Sequence, residues 1–208
     1  MNTDYTQKIA RLISTILVPP MFTLIVFTIF AFALENELIK RTATIIIALV
    51  FGFIAPIILF LILRKNGKLI DKDASVKEER TIPFIIAIIF YIVGLGLMIK
   101  FNLHIISIAF WFCYISNTII VIFINHFWKI SAHSMGAAGA FAALIVSFGI
   151  QPVGLFLLPV VFIVGWSRIK LQCHSFSQVA VGVLFAFLST ALQMYTISIN
   201  FYYHNTMF

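Results

Sequence analysis

One segment reads Ser167-Arg168-Ile169-Lys170-Leu171-Gln172-Cys173-His174-Ser175-Phe176-Ser177-Gln178, in a chain that otherwise avoids polar side chains. A guanidinium is a planar fork suited to phosphate, and an imidazole changes its proton state near neutrality and can serve as nucleophile, acid or base. Beside membrane-spanning segments such residues are costly unless they face protein, water or a ligand, which marks them as a candidate site. The plainer alternative is a membrane-surface anchor with a hydrogen-bonded histidine. A second cluster, Lys129-Ile130-Ser131-Ala132-His133-Ser134-Met135-Gly136, opens a predicted helix. Lys129, Ser131 and His133 stand at its N-terminal end, where unpaired N–H groups and the helix dipole favour an anion. The two clusters together describe a phosphate site.

A third run, residues 64–83, is dense in charge. Within it Ser75-x-x-Glu78 has capping-box spacing and Pro83 suits the first turn of the following helix, so a short surface helix is expected. Such a run also fits a solvated anchor. Arg80, nearest the helix entrance, is the residue expected to turn inward to a phosphate.

The elements that must position these groups are set by composition. The chain is 62% hydrophobic and 10% charged, with a mean hydropathy of +1.10. A soluble globule would have too little polar surface to cover itself, so this is an integral membrane protein. Apolar stretches run over about 12–34, 42–63, 84–100, 104–125, 134–149, 151–166 and 179–200, the fifth and sixth being short. The alternating pattern of barrel strands is absent, and lipid leaves helices as the other choice. The fold class expected is all-α, a polytopic transmembrane bundle of six to seven helices forming a single domain over residues 1–208. The first stretch is read as a retained helix rather than a signal peptide. Ala132, Gly136 and Ala140 recur every four residues and make a thin face for close helix packing.

With seven crossings, the N-terminus and residues 64–83, 126–133 and 167–178 share one membrane face. That face carries Lys8, Arg11, Arg64, Lys65, Lys68, Lys72, Lys77, Arg80, Lys129, Arg168 and Lys170, against Lys40, Arg41 and Lys100 on the other. By the positive-inside rule it is cytoplasmic, in a protein expected in a bacterial inner membrane. The net charge of +7 is assigned to anionic headgroups and an anionic substrate, not to nucleic acid.

At these residues the chain resembles the phosphatidic acid phosphatase type 2 superfamily, which includes lipid phosphate phosphatases and dolichyl diphosphatases. Its third motif is Ser-Arg, five residues, His, three residues, Asp, and Ser167-Arg168, His174 and position 178 reproduce that spacing. The second motif, Pro-Ser-Gly-His, is matched by Ile130-Ser131-Ala132-His133 at Ser and His. The resemblance covers about residues 104–200. It implies that His174 is the nucleophile, forming a phosphohistidine, and that His133 protonates the leaving oxygen. It further implies that Arg168 and Ser131 hold the phosphoryl oxygens, and that neither a metal nor another cofactor is required. The substrate implied is a lipid phosphomonoester or diphosphate, with a polyprenyl or glycerolipid tail lying between helices.

The chain departs from the family twice. Gln178 stands where the motif has Asp, as it does in the dolichyl diphosphatase branch; its carbonyl can still accept the imidazole N–H. The first motif, Lys, six residues, Arg-Pro, is missing from its place, and Lys129, Arg80 and Lys72 are the cations that could replace its charges. A non-catalytic relative that binds a lipid phosphate, or a small transporter or scaffold, are the alternatives. His104, His126 and His204 read as interfacial residues, Tyr195, Tyr202 and Tyr203 as an aromatic belt, and Asn117 and Asn125 as helix–helix glue.

Overall fold

The computed structural model describes residues 5–69 and 78–206. These form eight helices, with no strand among the described residues. In chain order they are α1 (Tyr5–Ile16), α2 (Pro19–Leu34), α3 (Leu38–Lys65), α4 (Thr81–Lys100), α5 (Ile105–Phe127), α6 (Ala132–Phe148), α7 (Pro152–Lys170) and α8 (Phe176–Thr206). Helices α3, α4, α5, α7 and α8 are long and apolar enough to cross a membrane. The protein is therefore a polytopic, all-α membrane protein.

The first apolar stretch is not one helix. It breaks before Pro19 and Pro20, and α1 and α2 meet at a bend of 55°. Proline forces its predecessor out of the helical region, and Val18 is extended at φ −71° and ψ 152°. Helix α1 is amphipathic. Ala10 and Ser14 face protein, while Tyr5, Lys8, Arg11, Leu12 and Ile16 are exposed, the arrangement of a helix lying along a membrane surface.

The core is built on α6, whose Ala137, Ala138, Gly139, Ala140, Ala142 and Ala143 are buried. A methyl group added at Gly136 would lie 3.1 Å from the Pro19 backbone, and one at Gly139 would lie 3.4 Å from Thr190 Oγ1. The thin face anticipated in the sequence thus lets α2 and α8 approach closely. Trp111 of α5 is fully buried in a similar fit, because any side chain at Gly94 would collide with its ring. Helix α3 relaxes into π-helical turns at Ala48–Ile54 just before Pro56, as a helix does where proline removes an N–H donor. Between α6 and α7 the chain turns at Gly149, whose φ of +67° suits glycine.

Hydrogen bonds between helix ends mark two groups. In one, Glu35 after α2 accepts the backbone N–H of His104 before α5 at 2.7 Å. In the other, Arg80, Lys129, Ser131 and the 171–175 loop are joined by the hydrogen bonds described next.

Candidate active site

The loop between α7 and α8 is wound tightly back on the arginine that precedes it. The backbone N–H groups of Cys173 and His174 both reach the Arg168 carbonyl, at 3.1 and 3.3 Å. Gln172 makes the turn at φ +55°, a region that non-glycine residues seldom enter. His174 is thereby fixed to the end of α7 and left 6% exposed.

Ser175 and Gln178 form a reciprocal capping box at the start of α8. The Ser175 hydroxyl accepts the Gln178 N–H at 3.3 Å, and Gln178 Oε1 accepts the Ser175 N–H at 3.2 Å. Because a backbone N–H can be met only by the amide oxygen, this contact settles which way the Gln178 amide points. The same Oε1 lies 3.1 Å from His174 Nδ1. Nδ1 must then carry the proton and donate it, which leaves the lone pair of neutral His174 on Nε2.

Three cations converge here from separate elements. Arg80, at the entrance to α4, is 5% exposed, and its Nη1 donates to the Ile130 carbonyl at 3.0 Å. Lys129 Nζ donates to the Cys173 carbonyl at 2.7 Å. Arg168 is wholly buried and donates from Nη1 to the Ser14 hydroxyl of α1. Burial is the largest influence on His174, with Arg80, Lys129 and Arg168 adding to it and the Gln178 hydrogen bond opposing it, and its pKa falls to about 3. At neutral pH the ring is uncharged and keeps its lone pair.

Helix α6 enters the same cluster, since the Ser131 N–H donates to the Gln178 carbonyl at 3.3 Å. The Ser131 hydroxyl caps its own helix. It accepts the Ser134 N–H at 3.4 Å and pairs with the Ser134 hydroxyl at 2.9 Å. His133 lies half-buried in the first turn of α6. Lys72 and Ser75 lie outside the described residues, and with them the short surface helix expected there; Glu78–Arg80 is a single 3-10 turn leading into α4.

Two residues of this cluster escape sequence reasoning. Ser175 has an audible signal, Ser-x-x-Gln before an apolar run, which was there to be read as a capping box. Ser14 is 154 residues from Arg168, and only its place on the buried stripe of an amphipathic helix hints at a role.

Below the cluster a cavity of about 160 Å³ opens between α2, α4, α5, α6 and α8. Phe84, Ala132, Met135 and Gly136 line it toward the cluster, and Thr23, Tyr114, Asn117 and Thr190 lie among its other walls. Asn117 does act as glue between α5 and α8. Its Oδ1 accepts from Ser189 at 2.7 Å and Gln193 at 3.0 Å, and its Nδ2 donates to Thr190 at 3.1 Å.

Comparison with family models, curated proteins and solved structures gives no match. What fold and site define is a polytopic all-α membrane protein, with a neutral histidine set among three cations at one end of the bundle.

Proposed function

We propose that this protein is a metal-independent phosphatase of membrane lipids, acting on a phosphomonoester or diphosphate. The observation that supports the reading is the His174–Gln178 pair, which leaves Nε2 unprotonated amid Arg80, Lys129 and Arg168. Nε2 attacks phosphorus, and the bond from phosphorus to the lipid oxygen breaks with its electron pair staying on oxygen. His133 gives that oxygen a proton. Water then attacks the phosphohistidine and loses a proton to His133, and the P–N pair returns to Nε2. The products are inorganic phosphate and either a lipid alcohol or, from a diphosphate, a lipid monophosphate.

The cations hold phosphoryl oxygens and are positioned before the reaction begins, which is where most of the rate enhancement would arise. Lys72 would add charge from the 64–83 loop. Ser131 supports the site by capping α6 with its hydroxyl. The lipid tail would enter the cavity that starts at Ala132, one residue before His133. The site face is assigned to the cytoplasm by its excess of cations.

A second reading has its own support. Gln178 and Ser131 both have structural work in helix caps, which fits a protein that binds a lipid phosphate without turning it over. Phosphate release by the purified protein from a panel of polyprenyl and glycerolipid mono- and diphosphates, with chelator present, separates the two. Release supports the phosphatase. Binding of a lipid phosphate without release supports the non-catalytic reading, and neither binding nor release removes both.

A further inference from the structure

We infer that Ser14 is a positioning residue for the phosphate-holding arginine. The inference rests on the proposed phosphate role of Arg168 and goes beyond it, because it brings the N-terminal helix into the site.

Arg168 is wholly buried and Ser14 is 4% exposed. A guanidinium in that setting needs hydrogen-bond acceptors, and the Ser14 hydroxyl receives Nη1. Because the guanidinium is planar and rigid, fixing one nitrogen sets the direction of the whole fork. The Arg168 backbone is held independently, its carbonyl taking the N–H groups of Cys173 and His174. Backbone and side chain are thus anchored separately, the first by the loop that carries His174 and the second by α1.

Helix α1 can supply such an anchor on physical grounds. It is bent 55° from α2 and packs its Ala10 and Ser14 stripe inward, with Leu12 and Ile16 exposed on other faces. A helix seated this way is held by the bilayer surface as well as by the protein. The fork of Arg168 is therefore referred to the plane in which lipid headgroups lie.

The test uses the full chain in lipid nanodiscs with a short-chain lipid phosphate as substrate and vanadate as inhibitor. Ser14→Ala is expected to lower kcat and weaken vanadate inhibition by about tenfold or more, the range for losing a hydrogen bond to a charged group. KM is expected to change less than kcat, and thermal unfolding to stay within a few degrees of wild type. In an Arg168→Lys background the same substitution should change vanadate affinity by less than about twofold, because its effect passes through the fork. Wild-type kcat and vanadate affinity in Ser14→Ala would overturn the inference alone, as would an undiminished Ser14→Ala effect beside Arg168→Lys. If wild type neither turns over nor binds any lipid phosphate or vanadate, the proposed function falls and this inference falls with it. If wild type binds without turnover, lipid-phosphate affinity replaces kcat as the reading, with the same expected loss and the same overturning results.

Discussion

Gln178 Oε1 accepts two hydrogen bonds at once, from the Ser175 N–H and from His174 Nδ1. One glutamine therefore caps a helix and selects a histidine tautomer, and neither task requires the negative charge of an aspartate. The pair also predicts how the site responds to pH.

Folded His174 has its pKa lowered from the ordinary 6.5 to about 3. The unfolded chain therefore binds more protons than the folded one between those values, so stability rises with pH across that window and is lost as pH falls through it. The groups facing the ring are Arg80, Lys129, Arg168 and Gln178. Gln178→Glu keeps the capping box and adds a negative charge, which favours the imidazolium. The acid limb of kcat/KM should move to higher pH in Gln178→Glu, while Gln178→Ala should lose activity without that shift. An unchanged pH profile in Gln178→Glu would show that the two side chains are not coupled.

His133→Ala should slow turnover most for poor leaving groups, because proton donation matters most when the departing oxygen is basic. Rates for an aryl phosphate and an alkyl phosphate report this directly. Equal losses for both would remove His133 from the role of acid.

Sidedness can be read at Lys65, an exposed residue at the end of α3 on the site face. With Cys113 and Cys173 replaced, Lys65→Cys should resist an impermeant thiol reagent in intact cells and react after permeabilisation. Labelling in intact cells would put the site on the outer face.

Asn117→Leu leaves Thr190, Ser189 and Gln193 without a shared partner inside the bundle. Interhelical polar contacts in membranes contribute roughly 0.6 kcal/mol on average and up to about 1.7. Unfolding should show a loss of about 1 kcal/mol, with the pH profile unchanged because Asn117 is not among the groups that act on His174. A loss near zero would show that the network re-forms without it.

Much of the architecture was legible. Six of the seven apolar stretches correspond to single helices or, for 151–166, to most of α7, since hydropathy reports the need to satisfy backbone groups in lipid. The exception, 12–34, hid a break because hydropathy does not register Pro19-Pro20, whereas backbone geometry does. The clustering of Arg80 and Lys129 with the 167–178 segment follows from helix count alone, which puts their loops on one face. Individual partners do not follow. Arg80 meets Ile130 and Arg168 meets Ser14 through packing of helices distant in sequence, and a periodic pattern defines a face without naming its neighbour. Ser131 shows the converse difficulty, since the Ser that a motif offers to phosphate is also an ordinary N-cap.

The central claim is that His174 carries the phosphoryl group, and the direct measurement is to trap it. Purified protein incubated with a lipid labelled in its phosphate, quenched in alkali and digested, should carry an acid-labile phosphate on His174. The label should be absent from a folded His174→Ala protein. Turnover by wild type with no label on His174, or full activity in His174→Ala, would contradict the account.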